Sequence, residues 1–310
     1  MKVMAEQNDN PAIILSGYQF VPIQHPARWR DRARDFGERH SLKGTVLIAG
    51  EGINFSLAGS RSALEHWLEW VGAGLGCRSP VLNRQVLSGE PFRRLKVRVR
   101  DEIVTFDATI RPERGRHVPP DAWNELIARD DVQVVDTRNE YEVRIGTFAE
   151  AENPGTDSFT EFKDYCRRSL DPGRPVAMFC TGGIRCEKAG AWLEQQGFNA
   201  VYQLEGGILR YLAETPPAAS RWRGECFVFD DRVSVDSSLR PTGRIVCRGC
   251  RRPVSGLDAA GVPPIDEDGS CRLCADPFEE ARLGSLRERA RQVELAAARG
   301  QKHLGPEAQS

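Results

Sequence analysis

Apolar and polar positions alternate with two different periods along this chain, and the changes of period mark out its elements. Between residues 11 and 112, YQFVPI (18 to 23) alternates as a strand. PARWRDRARDFGERH then carries Trp29, Ala33 and Phe36 on one helical stripe. GTVLIAG and GINFSLAG read as two short strands joined through Gly50, Glu51 and Gly52, a hairpin turn signal, and Ser60 is placed to cap the helix ALEHWLEWVGAGLG. RRLKVRVRDEIV supplies a last strand. The order β-α-β-β-α-β predicts a ferredoxin-like α+β domain over 11–112, a scaffold with no fixed function.

From 118 to 216 the pattern changes to buried-type strands alternating with helices. VQVVD, PVAMF and AVYQL are the strands, and VPPDAWNELIARD, SFTEFKDYCRRSL and RCEKAGAWLEQQG the helices. Strand, crossover helix and strand in repetition predict a mainly parallel sheet with ligands at the carboxyl ends of the strands. The remainder, 217–310, shows little periodic core until the arginine-rich amphipathic stretch EEARLGSLRERARQVELAAARG. At 310 residues the chain is long enough for these three segments.

Charge adds one local feature. The net charge is -1, so any nucleic-acid surface must be confined to part of the chain. In RRLKVRVR, Leu95, Val97 and Val99 share one strand face while Arg94, Lys96, Arg98 and Arg100 share the other. Such a ribbon could neutralise the phosphates of a nucleic acid, or it could protect a sheet edge with charge. No apolar run is long enough to span a bilayer, and MKVMAEQNDN lacks the apolar centre of a signal peptide, so a cytoplasmic protein without a membrane partner is expected.

The cysteines carry the chemistry. Cys247-x2-Cys250 and Cys271-x2-Cys274, twenty residues apart, have the spacing of a tetrahedral thiolate zinc site. Cys180 stands in MFCTGGIRCEKAG, where a strand ends, Gly182 and Gly183 form a loop, and a helix starts near Arg185. Loop N–H groups and a helix N-terminus should converge on the sulfur and stabilise a thiolate. The C-x4-R spacing is one residue short of the phosphatase C-x5-R loop. A metal at Cys180 and Cys186 is disfavoured, since no further ligands lie nearby in sequence. Cys186 could resolve an oxidised or persulfidated Cys180 or simply pack at the helix start. The five histidines (His25, His40, His66, His117, His303) form no H-x-D/E iron motif, and there is no G-x-G-x-x-G flavin or nicotinamide signature.

The loop resembles that of the rhodaneses, whose active cysteine carries a persulfide. VVDTRNEYE (134 to 142) resembles their D-x-R…E motif, with Asp136 and Arg138 then a structural pair supporting the active loop. Gly146 and Asn153 fall at their G-H-I…A-x-N elements, and LEGGILRY (204 to 211) resembles L-x-G-G. Thr147 and Tyr211 depart from the histidine and tryptophan common there. With KGTVLIAGEGIN, RLKVRVRDEIVTF, CTGGIRCEK, GECFVFDDRV and the double C-x2-C in order, the chain as a whole resembles the bacterial tRNA uridine(34) hydroxylase family. That resemblance implies a ferredoxin-like domain joined to a rhodanese domain, and formation of 5-hydroxyuridine at the wobble position with molecular oxygen as co-substrate. Cys180, as thiolate or persulfide, would add to C6 of uracil while Arg185 holds the developing charge. Two other readings stand beside it: a persulfide-carrying sulfurtransferase, and a non-catalytic RNA-binding adaptor.

Overall fold

The computed structural model describes residues 12–77, 80–87, 91–112, 115–247, 250, 252–255, 271, 288, 291, 292, 295 and 299. They fall into two compact units that divide between Ile103 and Val104.

In the first unit, strand β1 (Ala12–Phe20), helix α1 (Pro26–Arg39), strands β2 (Lys43–Ala49) and β3 (Gly52–Gly59), helix α2 (Arg61–Leu75), and strands β4 (Val81–Leu87) and β5 (Leu95–Val99) follow in order. The sheet runs β4-β1-β3-β2-β5. β1 begins six residues before the expected YQFVPI, because AIIL pairs with β3 on one side and β4 on the other. The sequence reading also passed over β4. It is β4 that completes the β-α-β-β-α-β arrangement, and β5 is an additional edge strand, parallel to β2.

One face of this sheet is covered by the helices. Ile13, Leu15, Val46, Ile48, Ile53, Phe55 and Val97 pack there with Ala33, Phe36, Trp67 and Val71. The Ser60 hydroxyl accepts from the Ala63 N–H at 3.2 Å, as expected of an N-cap, a contact worth about 1 kcal/mol. At Gly44, φ is 135° and an added Cβ would lie 2.0 Å from the Ser56 carbonyl oxygen, so only glycine lets β2 and β3 approach this closely.

The second unit is built on a four-stranded parallel sheet, β6 (Arg116–Val118), β10 (Val201–Leu204), β9 (Val176–Phe179) and β7 (Gln133–Asp136) in spatial order. Around it lie α3 (Pro120–Ile127), α4 (Glu140–Val143), the short strand β8 (Gly146–Phe148), α5 (Phe162–Ser169), α6 (Ile184–Gln195) and α7 (Gly207–Glu214). β7 and β9 are buried at every position, which is why they read as unbroken apolar runs. β6 is a three-residue edge strand too short to leave a pattern.

Beyond α7 the chain holds more core than its periodicity shows. β11 (Trp222–Gly224) pairs with β8, and β12 (Cys226–Phe227) pairs with β13 (Ser234–Val235). Trp222, Cys226, Val228 and Val235 join Trp123, Phe148, Phe179 and Tyr211 in one apolar cluster. β14 (Ile245–Val246) and β15 (Pro253–Val254) make a final hairpin. Of the expected arginine-rich helix, Glu288, Arg291, Gln292 and Leu295 are helical, Arg299 lies in a turn, and the rest lies outside the described residues.

Candidate active site

The chain leaves β9 at Cys180, turns through Thr181 and Gly182, and enters α6 from Gly183, whose φ of 100° is a left-handed conformation suited to glycine. This turn brings the Gly183 N–H to 3.1 Å from the Cys180 sulfur. The Arg185 N–H and the Cys186 thiol also hydrogen-bond to it. Cys180 is 2% exposed. Burial alone pushes its pKa up, but the Cys186 thiol, the Arg185 guanidinium and the two backbone N–H groups together outweigh burial and bring it down to about 6. For Cys186, burial and the hydrogen bond to Cys180 act in the same direction and hold the thiol protonated, well above the ordinary range. The pair therefore consists of one sulfur that ionises and one that donates to it.

Topology supplies the surroundings. β7 and β9 run parallel with Asp136 opposite Phe179, so the residues just beyond each strand end lie side by side. The Thr137 hydroxyl donates to the Phe179 carbonyl at 3.0 Å and lies 3.6 Å from the Cys186 sulfur. Asp136 and Arg138, both fully buried, form a two-pronged pair at 2.9 and 2.6 Å. Arg138 also donates to the Gly146 carbonyl, and the Thr147 hydroxyl donates to Asp136 at 2.8 Å. Thr147, at the position where a histidine is usual, thus satisfies a buried carboxylate. Asn153 donates to Glu140, and Tyr211 is buried with its hydroxyl donating to Asn124.

Arg185 reaches its charge partner in α4. Its Nη2 lies 2.9 Å from the Glu142 carboxylate, which is itself fully buried. Its Nη1 is buried with no hydrogen-bond partner among the described residues. A buried guanidinium nitrogen left without an acceptor is costly unless a ligand oxygen supplies one. The charge of Arg185 thus acts on the sulfur through space, while its backbone N–H makes the direct contact.

The underside of the loop rests on the start of α7. Ile208 and Leu209 donate their backbone N–H groups to the carbonyls of Cys180 and Thr181, at 2.9 and 3.1 Å. Gly207 has φ of 68°, and a Cβ there would meet the Cys180 oxygen at 2.5 Å and the Gly183 nitrogen at 2.8 Å. This close approach is the physical content of the L-x-G-G pattern. The segment after β11 closes another side: the Thr181 hydroxyl donates to the Phe227 carbonyl at 3.5 Å, and buried Cys226 has its thiol pushed up to about 12, chiefly by burial. Glu142, Thr137, Cys226 and Phe227 were not singled out from sequence as site residues. Each nevertheless lies in a quoted stretch: Thr137 and Glu142 in VVDTRNEYE, and Cys226 and Phe227 in GECFVFDDRV.

The remaining sequence candidates lie elsewhere. Arg94, Lys96, Arg98 and Arg100 are exposed along the edge strand β5, with Val97 buried behind them. Cys247, Cys250 and Cys271 bring their sulfurs within 4.8 Å of one another, and the Cys271 N–H donates to Cys247 at 3.1 Å. The 3.8 Å between the sulfurs of Cys250 and Cys271 fits two thiolates on one tetrahedral ion. A Zn–S bond of about 2.3 Å sets such sulfurs roughly 3.8 Å apart. The cluster can hold a metal ion such as zinc. Cys274 lies outside the described residues. No helix among the described residues is long and apolar enough to cross a membrane.

Residues 12–103 match the family model described as UPF0176 acylphosphatase like domain, and residues 119–214 match the Rhodanese-like domain. Among solved structures, a rhodanese-related protein from Thermoplasma volcanium is 27% identical with a TM-score of 0.28, the match covering 33% of this chain and 96% of that one. A rhodanese-like domain protein from Staphylococcus aureus is 24% identical with a TM-score of 0.28, over 31% of this chain and 91% of that one. An acylphosphatase from Coxiella burnetii is 20% identical with a TM-score of 0.24, over 31% of this chain and all of its own. The chain carries an acylphosphatase-like domain of the UPF0176 type followed by a rhodanese-like domain.

Proposed function

We propose that this protein is a cytoplasmic tRNA-modifying oxidoreductase that hydroxylates C5 of the uridine at position 34, with Cys180 as its nucleophile. The observation that carries the reading is the buried Cys180 sulfur on which two backbone N–H groups, the Cys186 thiol and the Arg185 charge converge. C5 of uracil is a weak nucleophile. When a thiolate adds to C6, the ring's π electrons move toward C5 and O4, and C5 becomes electron-rich enough to attack oxygen. The negative charge on O4 needs a donor, and the unpartnered Nη1 of Arg185 is available to provide it. Overall, dioxygen supplies the new hydroxyl oxygen, and an external dithiol, oxidised to its disulfide, would supply the two electrons and two protons that carry the second oxygen atom to water. Loss of the C5 proton and departure of the sulfur from C6 restore the aromatic ring. Asp136 and Arg138 hold the floor of the site and take no part in bond making. The cationic edge of β5 supports a polyanionic substrate, and the metal-binding cysteines would stabilise the C-terminal hairpin.

A sulfurtransferase is the second reading, favoured by the same loop, since the N–H groups around Cys180 would equally hold a persulfide anion. The experiment is nucleoside mass spectrometry of tRNA from cells lacking the gene and complemented with wild type or Cys180→Ser. Loss of 5-hydroxyuridine in the Cys180→Ser strain is expected. Loss of a thiolated nucleoside instead would move the assignment to sulfur transfer, and no change in either would leave an RNA-binding adaptor.

A further inference from the structure

The turn after β12 presents an aromatic ring to solvent on a rigid mount. Val228 donates to the Val233 carbonyl at 2.9 Å, and Val233, at φ of 65°, donates back to Asp230 at 3.1 Å. Inside the turn Arg232 grips Asp230 with two hydrogen bonds of 2.8 and 2.6 Å, the two side chains being only 7% and 4% exposed. Yet Phe229, between these fixed points, is 62% exposed, and it is the aromatic member of the exposed large hydrophobic residues among those described. Single exposed apolar residues are ordinary on protein surfaces. The neighbours of this one are not.

The Phe229 ring packs edge-on against Phe227, with centroids 5.1 Å apart, and Phe227 packs edge-on against Tyr141 at 5.2 Å. Tyr141 precedes Glu142, the carboxylate that holds Arg185. The Arg185 guanidinium lies 5.8 Å from the Phe229 ring centroid. Phe227 is tied to the active loop by the hydroxyl of Thr181, the residue next to Cys180. One wall of the site therefore carries an exposed aromatic ring on a hydrogen-bonded turn. Beside it sit a buried guanidinium nitrogen without an acceptor and the sulfur whose ionisation the loop favours.

We infer that Phe229 is the stacking platform for the nucleobase presented to Cys180. A ligand that satisfies both features has a flat π face and a carbonyl oxygen at its edge. A pyrimidine dione has both. A phosphate ester has neither the face nor a use for it. Stacking on Phe229 would set the ring so that a carbonyl meets Nη1 of Arg185 while its neighbouring carbons face the sulfur. This inference rests on the reading of Cys180 as a nucleophile toward uridine, and it adds the residue that recognises the base.

The test compares binding of the intact protein to two tRNAs that differ only at position 34, one carrying uridine and the other an abasic ribose. Base stacking on an aromatic side chain changes affinity by about tenfold. Wild type should prefer the uridine tRNA by about that factor, Phe229→Trp should keep the preference, and Phe229→Ala should reduce it to below about twofold while still binding the abasic tRNA as wild type does. A preference undiminished in Phe229→Ala, or absent from wild type, would overturn the inference. So would an equal loss of both tRNAs in Phe229→Ala, which would make the residue structural. Because the readout is binding, it stands apart from hydroxylation: if tRNA from wild-type-complemented cells holds no 5-hydroxyuridine, the proposed reaction fails while the platform is still judged on these affinities.

Discussion

Gly207→Ala separates the strain of a left-handed residue from the closeness with which α7 supports the active loop. The strain alone costs an alanine about 1–2 kcal/mol. Gly197 offers the control, because its φ is 92° and an added Cβ would meet nothing within 4 Å. At Gly207 the same methyl group would lie 2.5 Å from the Cys180 oxygen, 2.8 Å from the Gly183 nitrogen and 2.8 Å from the Thr181 oxygen. These are backbone atoms and cannot swing aside as a flexible side chain would. To reach an ordinary 3.4 Å contact the loop must withdraw by roughly 0.9 Å, the difference between 3.4 and 2.5 Å. That shift weakens the Ile208 and Leu209 hydrogen bonds to the loop, each worth about 1 kcal/mol net. Gly207→Ala should therefore lose about 3–4 kcal/mol and Gly197→Ala about 1–2 kcal/mol in chemical denaturation. The Gly183 N–H that stabilises the thiolate moves with the loop, so the Cys180 pKa should rise in Gly207→Ala, and a misplacement of about 1 Å should lower activity about 100-fold. Equal stability losses in the two variants, with an unchanged thiolate titration, would refute the view that α7 sets the geometry of this loop.

Four further outcomes test the site, the cationic strand and the cysteine cluster. The ultraviolet thiolate signal of wild type minus that of Cys180→Ser should appear near pH 6; with the thiolate as the proposed nucleophile, activity should rise as pH climbs through that value, and a titration near the ordinary 9.0 would remove the electrostatic argument. Cys186→Ala should raise the Cys180 pKa by removing the donor, whereas Cys186→Ser, which keeps a hydroxyl donor, should leave measurable activity if Cys186 serves only to hold or resolve the sulfur. Replacing Arg94, Lys96 and Arg98 by glutamine should weaken tRNA binding about equally for all tRNA sequences and flatten its salt dependence, whereas unchanged affinity at two salt concentrations would return the ribbon to edge protection. Elemental analysis of reduced protein should find about one zinc per chain, lost from Cys247→Ser, and a metal-free wild type would end the zinc assignment.

Much of the fold was legible because its strongest elements carry unambiguous patterns. β7 and β9 are buried on both faces and read as apolar runs, and α2 announces itself through Ser60 and an apolar stripe. β4 was not legible. Its centre is Asn83, Arg84 and Gln85, and an edge strand with half its positions turned toward solvent looks like loop. The same holds for β6 and for β11 to β13, two or three residues each, whose pairing comes from distant partners rather than from their own periodicity.

The site divides along a similar line. Cys180, Gly183, Arg185 and Cys186 are adjacent in sequence, so the strand end, the loop and the helix start that act on the sulfur could be read together. The residues that complete the site come from far along the chain: Thr137 is 49 positions from Cys186, and Thr181 is 46 from Phe227. What joins them is the parallel register of β7 and β9 and the pairing of β11 with β8, which no local pattern reports. Charge misleads most here. Glu142, Asp230 and Arg232 have the composition of solvated surface, yet each is almost wholly buried because a partner offsets its desolvation. In the described unit these buried pairs play one part in common. Asp136 with Arg138 fixes the floor, Glu142 with Arg185 fixes the cation, and Asp230 with Arg232 fixes the turn bearing Phe229. Removing one member of such a pair leaves an uncompensated buried charge at a cost of about 3–5 kcal/mol, so the walls of the site resist displacement while the sulfur among them is left free to react.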